Sequence, residues 1–94
     1  MLRGIKDFIS EANKIIRKES SKINLLHKEI NDYETLIYVI EKTEASEQVL
    51  YYKEKISQCY AKIDICLENI NNSRDRIETM RTVDKIIKRG EKSA

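Results

Sequence analysis

The chain has 94 residues, and its 18 Lys or Arg stand against 16 Asp or Glu, so the formal net charge is +2. A balance this close to neutral argues against binding to nucleic acid or to an acidic partner through bulk charge. The chain has no Pro and only two Gly, Gly4 and Gly90, which argues against a fold with many tight turns and indicates long helices.

The N-terminal segment MLRGIKDFIS carries charges within its apolar stretch and therefore lacks the uninterrupted apolar region of a secretory signal. The longest apolar run covers residues 37–40, whereas a membrane-spanning helix needs roughly 18–20 such residues. These features predict a cytoplasmic protein without a transmembrane segment. Export by a signal-independent route remains open.

Apolar residues recur through the first forty residues at alternating steps of three and four. Eleven of the twelve positions in this stripe are apolar, and the exception is Glu19. A stripe kept over six heptads predicts a helix over about 2–42 with a coiled-coil seam. The a positions are Leu2, Ile9, Ile16, Ile23, Ile30 and Ile37, and the d positions are Ile5, Ala12, Glu19, Leu26, Tyr33 and Ile40.

The segment EKTEASEQ, residues 41–48, has no large apolar side chain and interrupts the phase of the stripe. Thr43 and Ser46 are suitable N-cap residues, and each is followed by a Glu, which the helix dipole favours there. These signals predict a turn at about 43–47. The alternative is one continuous helix with a phase break, which would have to dimerise along its length.

A second stripe follows the turn, and ten of its twelve positions are apolar when Cys is counted. It predicts a helix over about 48–89, ended by Gly90 and followed by a frayed basic tail at 90–94. The a positions are Val49, Ile56, Ile63, Ile70, Ile77 and Asp84, and the d positions are Tyr52, Cys59, Cys66, Ser73, Met80 and Ile87.

The two helices are predicted to lie antiparallel, so residues 1–94 form one all-α domain, a coiled-coil hairpin. Antiparallel pairing sets Glu19 beside Ser73 and Arg74, which predicts a salt bridge from Glu19 to Arg74 within the seam. A polar step of this kind fixes register more often than it adds stability.

Several apolar side chains fall outside the a and d positions, where a two-helix contact does not cover them. An apolar surface of this kind on a small protein marks an interface. We therefore expect the hairpin to close into a four-helix bundle as a homodimer, or to bind a helical partner. The predicted interface residues are Phe8, Ile15, Leu25, Leu36, Val39, Tyr60 and Leu67.

No sequence motif for a nucleophile, a phosphate-binding loop or a dinucleotide site is present, and no enzymatic activity or cofactor is expected. Cys59 and Cys66 are seven residues apart, about 10 Å along a helix, which is too far for a disulfide. They are predicted to be reduced core residues, with an intermolecular disulfide as the alternative. A metal site formed with His27 lacks a fourth ligand and is not predicted.

The C-terminal segment, residues 81–94, has a local charge of +3. Its cations suit the negative pole of a helix dipole. They also provide a third interpretation, a nucleic-acid-associated protein that uses this basic end. The residues concerned are Arg81, Lys85, Lys88 and Arg89.

The proportions of the chain resemble those of WXG100-like proteins of Gram-positive type VII secretion, which are small hairpins of two antiparallel helices. Residues 60–64, YAKID, match the Tyr-x-x-x-Asp/Glu export signal of that group. The chain has no Trp, so it lacks the Trp-x-Gly turn, and its Tyr60 pattern lies within the predicted second helix. The resemblance implies a small exported protein, as an alternative to the leading interpretation. That interpretation is a non-enzymatic protein–protein interaction module: an adaptor, an assembly factor or a chaperone-like coiled coil.

Overall fold

The computed structural model describes residues 3–43 and 46–93. Helix α1 spans Arg3–Glu41 and helix α2 spans Ser46–Ser93. The two helices pack against each other along an extended hairpin of 78 × 14 × 13 Å. The predicted all-α helical hairpin is therefore confirmed, and the single continuous helix is excluded. Leu2, predicted as the first seam residue, lies outside the described residues.

The seam between the helices consists of the residues that the two heptad stripes predict. Every described a and d residue is buried or half-buried. The centre of the seam is a cluster of Ile30, Cys59 and Ile63. Four half-buried side chains pack against this cluster, namely Ile23, Leu26, Tyr33 and Ile56. Among the described residues this seam forms the whole core, because two helices have only one line of contact.

Helix α1 ends through hydrogen bonds that tighten its last turn. The Lys42 N–H donates to the carbonyl of Val39 at 3.3 Å, and the Thr43 N–H donates to the carbonyl of Ile40 at 2.8 Å. The Thr43 hydroxyl donates to that same Ile40 carbonyl at 2.8 Å. Thr43 therefore satisfies a free carbonyl at the C-terminus of α1. The sequence offers Thr43 and Ser46 as N-cap candidates for α2, and residues 44 and 45 between them lie outside the described residues.

Helix α2 continues through Gly90, where the sequence predicts that it ends. Gly90 does not have the positive φ of a glycine that terminates a helix. A glycine within a helix costs about 1 kcal/mol relative to alanine but does not by itself stop the helix. The segment after Gly90, predicted to be frayed, is helical up to Ser93.

The hairpin can be tested by one distance. Asn13 and Glu78 are exposed and line the same groove between the helices. Spin labels at positions 13 and 78, in a chain whose two Cys are replaced by Ala, should therefore lie within about 25 Å. A continuous helix would separate them by about 98 Å. Diluting the doubly labelled chain with unlabelled chain should leave the short distance unchanged, and its loss would contradict an intramolecular hairpin.

The seam should dominate stability. Ile30 is 3 % exposed at the centre of the core, so Ile30→Ala should lower the free energy of unfolding by about 2–4 kcal/mol, through lost burial and a cavity. Leu50 is 69 % exposed, and Leu50→Ala should change it by less than about 0.5 kcal/mol. Urea unfolding followed by circular dichroism measures both. Equal effects of the two substitutions would contradict this description of the core.

Candidate interaction surface

The hairpin exposes large apolar side chains along much of its length, beside the few that its seam buries. Among the described residues, eight apolar side chains form the buried core and twelve large ones are exposed. The exposed residues are Phe8, Leu25, Leu36, Tyr38, Val39, Leu50, Tyr51, Tyr60, Ile65, Leu67, Val83 and Ile86. Because the seam is already filled, these side chains are available to another surface.

One groove is lined by side chains from both helices on the same side of the hairpin. Leu25 of α1 and Ile65 of α2, 68 % and 60 % exposed, line the same groove of about 400 Å³. Leu26 and Cys66 of the seam also line it, together with Lys22 and Lys62. Its lining therefore combines apolar side chains from both helices with the long side chains of two lysines.

This groove establishes which heptad positions lie on the same side of the hairpin. Lys22 and Lys62 are both g residues, and Leu25 and Ile65 are both c residues. An antiparallel pair of helices brings g next to g on one flank and e next to e on the other. We call the apolar residues at c and g the Leu25 face. Its members are Phe8, Ile15, Leu25, Leu36 and Val39 of α1, and Tyr51, Ile65, Val83 and Ile86 of α2.

The predicted interface residues divide between the two flanks. Phe8, Ile15, Leu25, Leu36 and Val39 belong to the Leu25 face, where Ile15 is half-buried and the others are exposed. Tyr60 and Leu67 are exposed at e positions on the opposite flank.

The sequence reasoning missed the α2 half of the Leu25 face. The missed residues are Tyr51, Ile65, Val83 and Ile86. The available signal was the antiparallel pairing itself, because the c and g residues of α1 require the c and g residues of α2 on the same side.

Glu19 is buried in the seam next to this groove, and it does not pair with Arg74 as predicted. Its carboxylate lies 3.3 Å from the Nζ of Lys22, one turn along the same helix. The Cys66 thiol and the Asn69 amide of α2 lie close enough to the same carboxylate to affect its pKa. Arg74 instead lines the opposite groove with Asn13, nearer the N-terminus of α1. The register of the helices therefore places Arg74 away from Glu19.

The contact with the Cys66 thiol lowers the pKa of Glu19, and the ammonium of Lys22 and the amide of Asn69 lower it further, against the opposing effect of burial. The same contact, together with burial, raises the pKa of Cys66. Burial is also the main cause that raises the pKa of Cys59. Both cysteines are buried free thiols, and a thiol held protonated is a poor nucleophile.

The structure brings no metal-binding cluster together in the part of the chain that it describes. No group of three or more His, Cys, Asp or Glu side chains there could hold a metal ion. His27 is exposed at an e position, on the flank opposite the Leu25 face.

The predicted basic end lies in the last turns of α2. The Nζ of Lys88 lies 3.2 Å from the Oδ2 of Asp84, a buried seam residue. Arg81 is exposed and lines the groove that also contains Arg74. Lys85 and Arg89 are exposed as well. The described helices contain no stretch long and apolar enough to cross a membrane.

The comparisons with known proteins assign no family. No protein-family model, no curated protein and no solved structure matches the chain.

Glu19 should make stability depend on pH. Its pKa is lower in the folded chain than its ordinary value of 4.5, so its contribution is present above that value and is lost as the pH falls through the folded pKa. The melting temperature of the wild type should exceed that of Glu19→Gln at pH 7, and the difference should shrink towards pH 3.

The matched control is Glu11→Gln. Glu11 pairs with Lys14 at the same spacing and the same 3.3 Å distance, but both side chains are exposed. This substitution should leave the pH profile of the melting temperature close to that of the wild type, because exposed pairs contribute little. A Glu19→Gln profile parallel to the wild type at every pH would show that Glu19 is not the group responsible.

Proposed function

We propose that this chain is a non-enzymatic protein–protein interaction module that binds a helical surface through its Leu25 face. The observation that carries the proposal is the pairing of Leu25 and Ile65, two strongly exposed aliphatic side chains from different helices that line one groove. Apolar side chains gathered on one flank favour contact with another apolar surface, because burying them removes them from water. An adaptor, an assembly factor and a chaperone-like coiled coil all act in this way.

The size of the Leu25 face suits a stable complex. A flank as long and as wide as the hairpin, 78 × 14 Å, offers roughly 1,000 Å² on each partner, and a standard interface buries about 800 Å² per partner. The cross-section of the hairpin is only one pair of helices, so it has little core of its own. Association along this flank would therefore supply a second apolar layer.

The simplest occupant is a second copy of the same chain. Two hairpins joined through their Leu25 faces form a four-helix bundle, and a two-fold axis gives each copy the same contacts. A pair of helices from another protein would cover the same surface. Lys22 and Lys62 beside Leu25 and Ile65 would then favour acidic residues at the edge of such a partner.

The Leu25 face should control assembly. We expect Leu25→Glu/Ile65→Glu to weaken self-association about 100-fold or more, because it removes two apolar contacts and places two charges in the interface. Light scattering across a concentration series, with 11.1 kDa as the mass of one chain, measures this effect. Circular dichroism should show an unchanged helix content, since both positions are exposed.

The matched control is Leu50→Glu/Leu67→Glu, which changes two exposed leucines on the other flank and should associate like the wild type. If the wild type is monomeric, the wild type and the two double variants serve as baits in extracts of the cells that naturally produce this protein. A partner retained by the wild type and the control but lost by Leu25→Glu/Ile65→Glu identifies a hetero-complex. A monomeric wild type without such a partner contradicts the proposed function.

A further inference from the structure

The flank opposite the Leu25 face carries a concentration of positive charge that the overall balance of +2 conceals. We divide this flank into two halves. The open half lies near the N-terminus of α1 and the C-terminus of α2. The turn half lies near the C-terminus of α1 and the N-terminus of α2. In the open half, the described e and b residues include six cations and a single acid, Glu78. We call the six cations the Arg74 row: Lys6, Arg17, Arg74, Arg81, Lys85 and Lys88.

The hairpin brings this row together from both helices. Arg74 and Arg81 of α2 line one groove with Asn13 of α1. Lys6 lies one heptad before Asn13 on the same flank, and Arg17 lies one turn after it. The Arg74 row is therefore not confined to the C-terminal segment, because both helices contribute cations to it.

Most of the row is not held in ion pairs, although Glu78 lines the same groove as Arg74 and Arg81. Lys88 pairs with Asp84, but the other five cations form no ion pair with the side chains that the structure describes. All six side chains are exposed. In coiled coils the e positions usually carry opposite charges that pair between helices. Here Lys6, Arg74 and Arg81 all occupy e positions.

The turn half of the same flank has the reverse charge. Its e and b residues include Glu34, Glu41 and Asp64 against Lys53. On this flank the excess of positive charge is thus confined to the open half. This distribution favours a polyanionic ligand that contacts the open half.

We propose that the Arg74 row binds the phosphate backbone of double-stranded nucleic acid without reading its sequence. Residues Arg74, Arg81 and Lys88 repeat every seven residues, about 10 Å, over about 21 Å of helix. A duplex carries one phosphate charge per about 1.7 Å of its axis, so the row lies against more phosphates than it has cations. Arginine and lysine contacts to phosphate provide affinity but carry no base sequence information.

The surroundings of the row distinguish a duplex from other polyanions. Single-strand binding uses aromatic side chains that stack on bases, and no e or b residue of the described open half is aromatic. A helix that lies on a membrane inserts large apolar side chains beside its cations. On this flank the open half offers only Leu67, at its border with the turn half.

The test is fluorescence anisotropy with two labelled 24-base-pair DNA duplexes of unrelated sequence, titrated with the full chain from 50 to 200 mM salt. Both duplexes should bind with equal affinity, and binding should weaken steeply with salt. Arg74→Glu/Arg81→Glu should weaken binding at least about tenfold and reduce the slope of log K against log salt by about two.

The matched control is Lys28→Glu/Lys53→Glu, which lowers the net charge by the same amount at exposed positions outside the row and outside the Leu25 face. It should keep affinity within about threefold of the wild type, with circular dichroism confirming that both variants remain helical. No binding by the wild type at 50 mM salt, or equal losses in the two variants, overturns the proposal. Tighter binding to vesicles with 30 % anionic lipid, or to single strands, also overturns it.

Discussion

The fold depends on one physical constraint, which is that two helices share a single line of contact. Every described a and d side chain is buried or half-buried along that line, and the central cluster of Ile30, Cys59 and Ile63 lies within it. Because this seam fixes the rotation of each helix about its own axis, it also decides which residues reach each flank. The Leu25 face and the Arg74 row are both consequences of that rotation.

The seam tolerates charge where a neutralising partner is close along the same helix. Glu19 has Lys22 one turn away, and Asp84 has Lys88 one turn away. In both pairs the carboxylate is buried while the ammonium remains at the exposed edge, where a lysine keeps its charge in water. Local pairing of this kind gives each buried carboxylate a cation from its own helix. At Glu19, Lys22 of its own helix and the Cys66 and Asn69 side chains of α2 take the place of the predicted contact with Arg74.

The sequence predicts the helices and the seam well, because a period of 3.5 residues sustained over six heptads can be read without knowing what the helix packs against. It predicts less where the outcome depends on register or on competing local bonds. The partner of Glu19 is set by the stagger between helices, which the stripes define only to within about a turn. Thr43 is a suitable N-cap residue in the sequence, yet its hydroxyl also reaches back to the carbonyl of Ile40 at the end of α1. Gly90 permits a helix end but does not impose one.

The candidate surfaces were likewise predictable only in part from the sequence. Leu25, Leu36 and Val39 stand outside the first stripe in the sequence itself. Their companion Ile65 becomes apparent only when the antiparallel pairing joins the c positions of the two helices. The charge on each flank also depends on the pairing of the helices. Arg17 and Arg74 are 57 residues apart in the chain and share a flank only in the hairpin. A net charge is a sum over the chain, whereas a ligand meets the charge on one side of it. Neutrality of composition therefore gives no information about recognition once a rigid seam has decided which residues each flank presents.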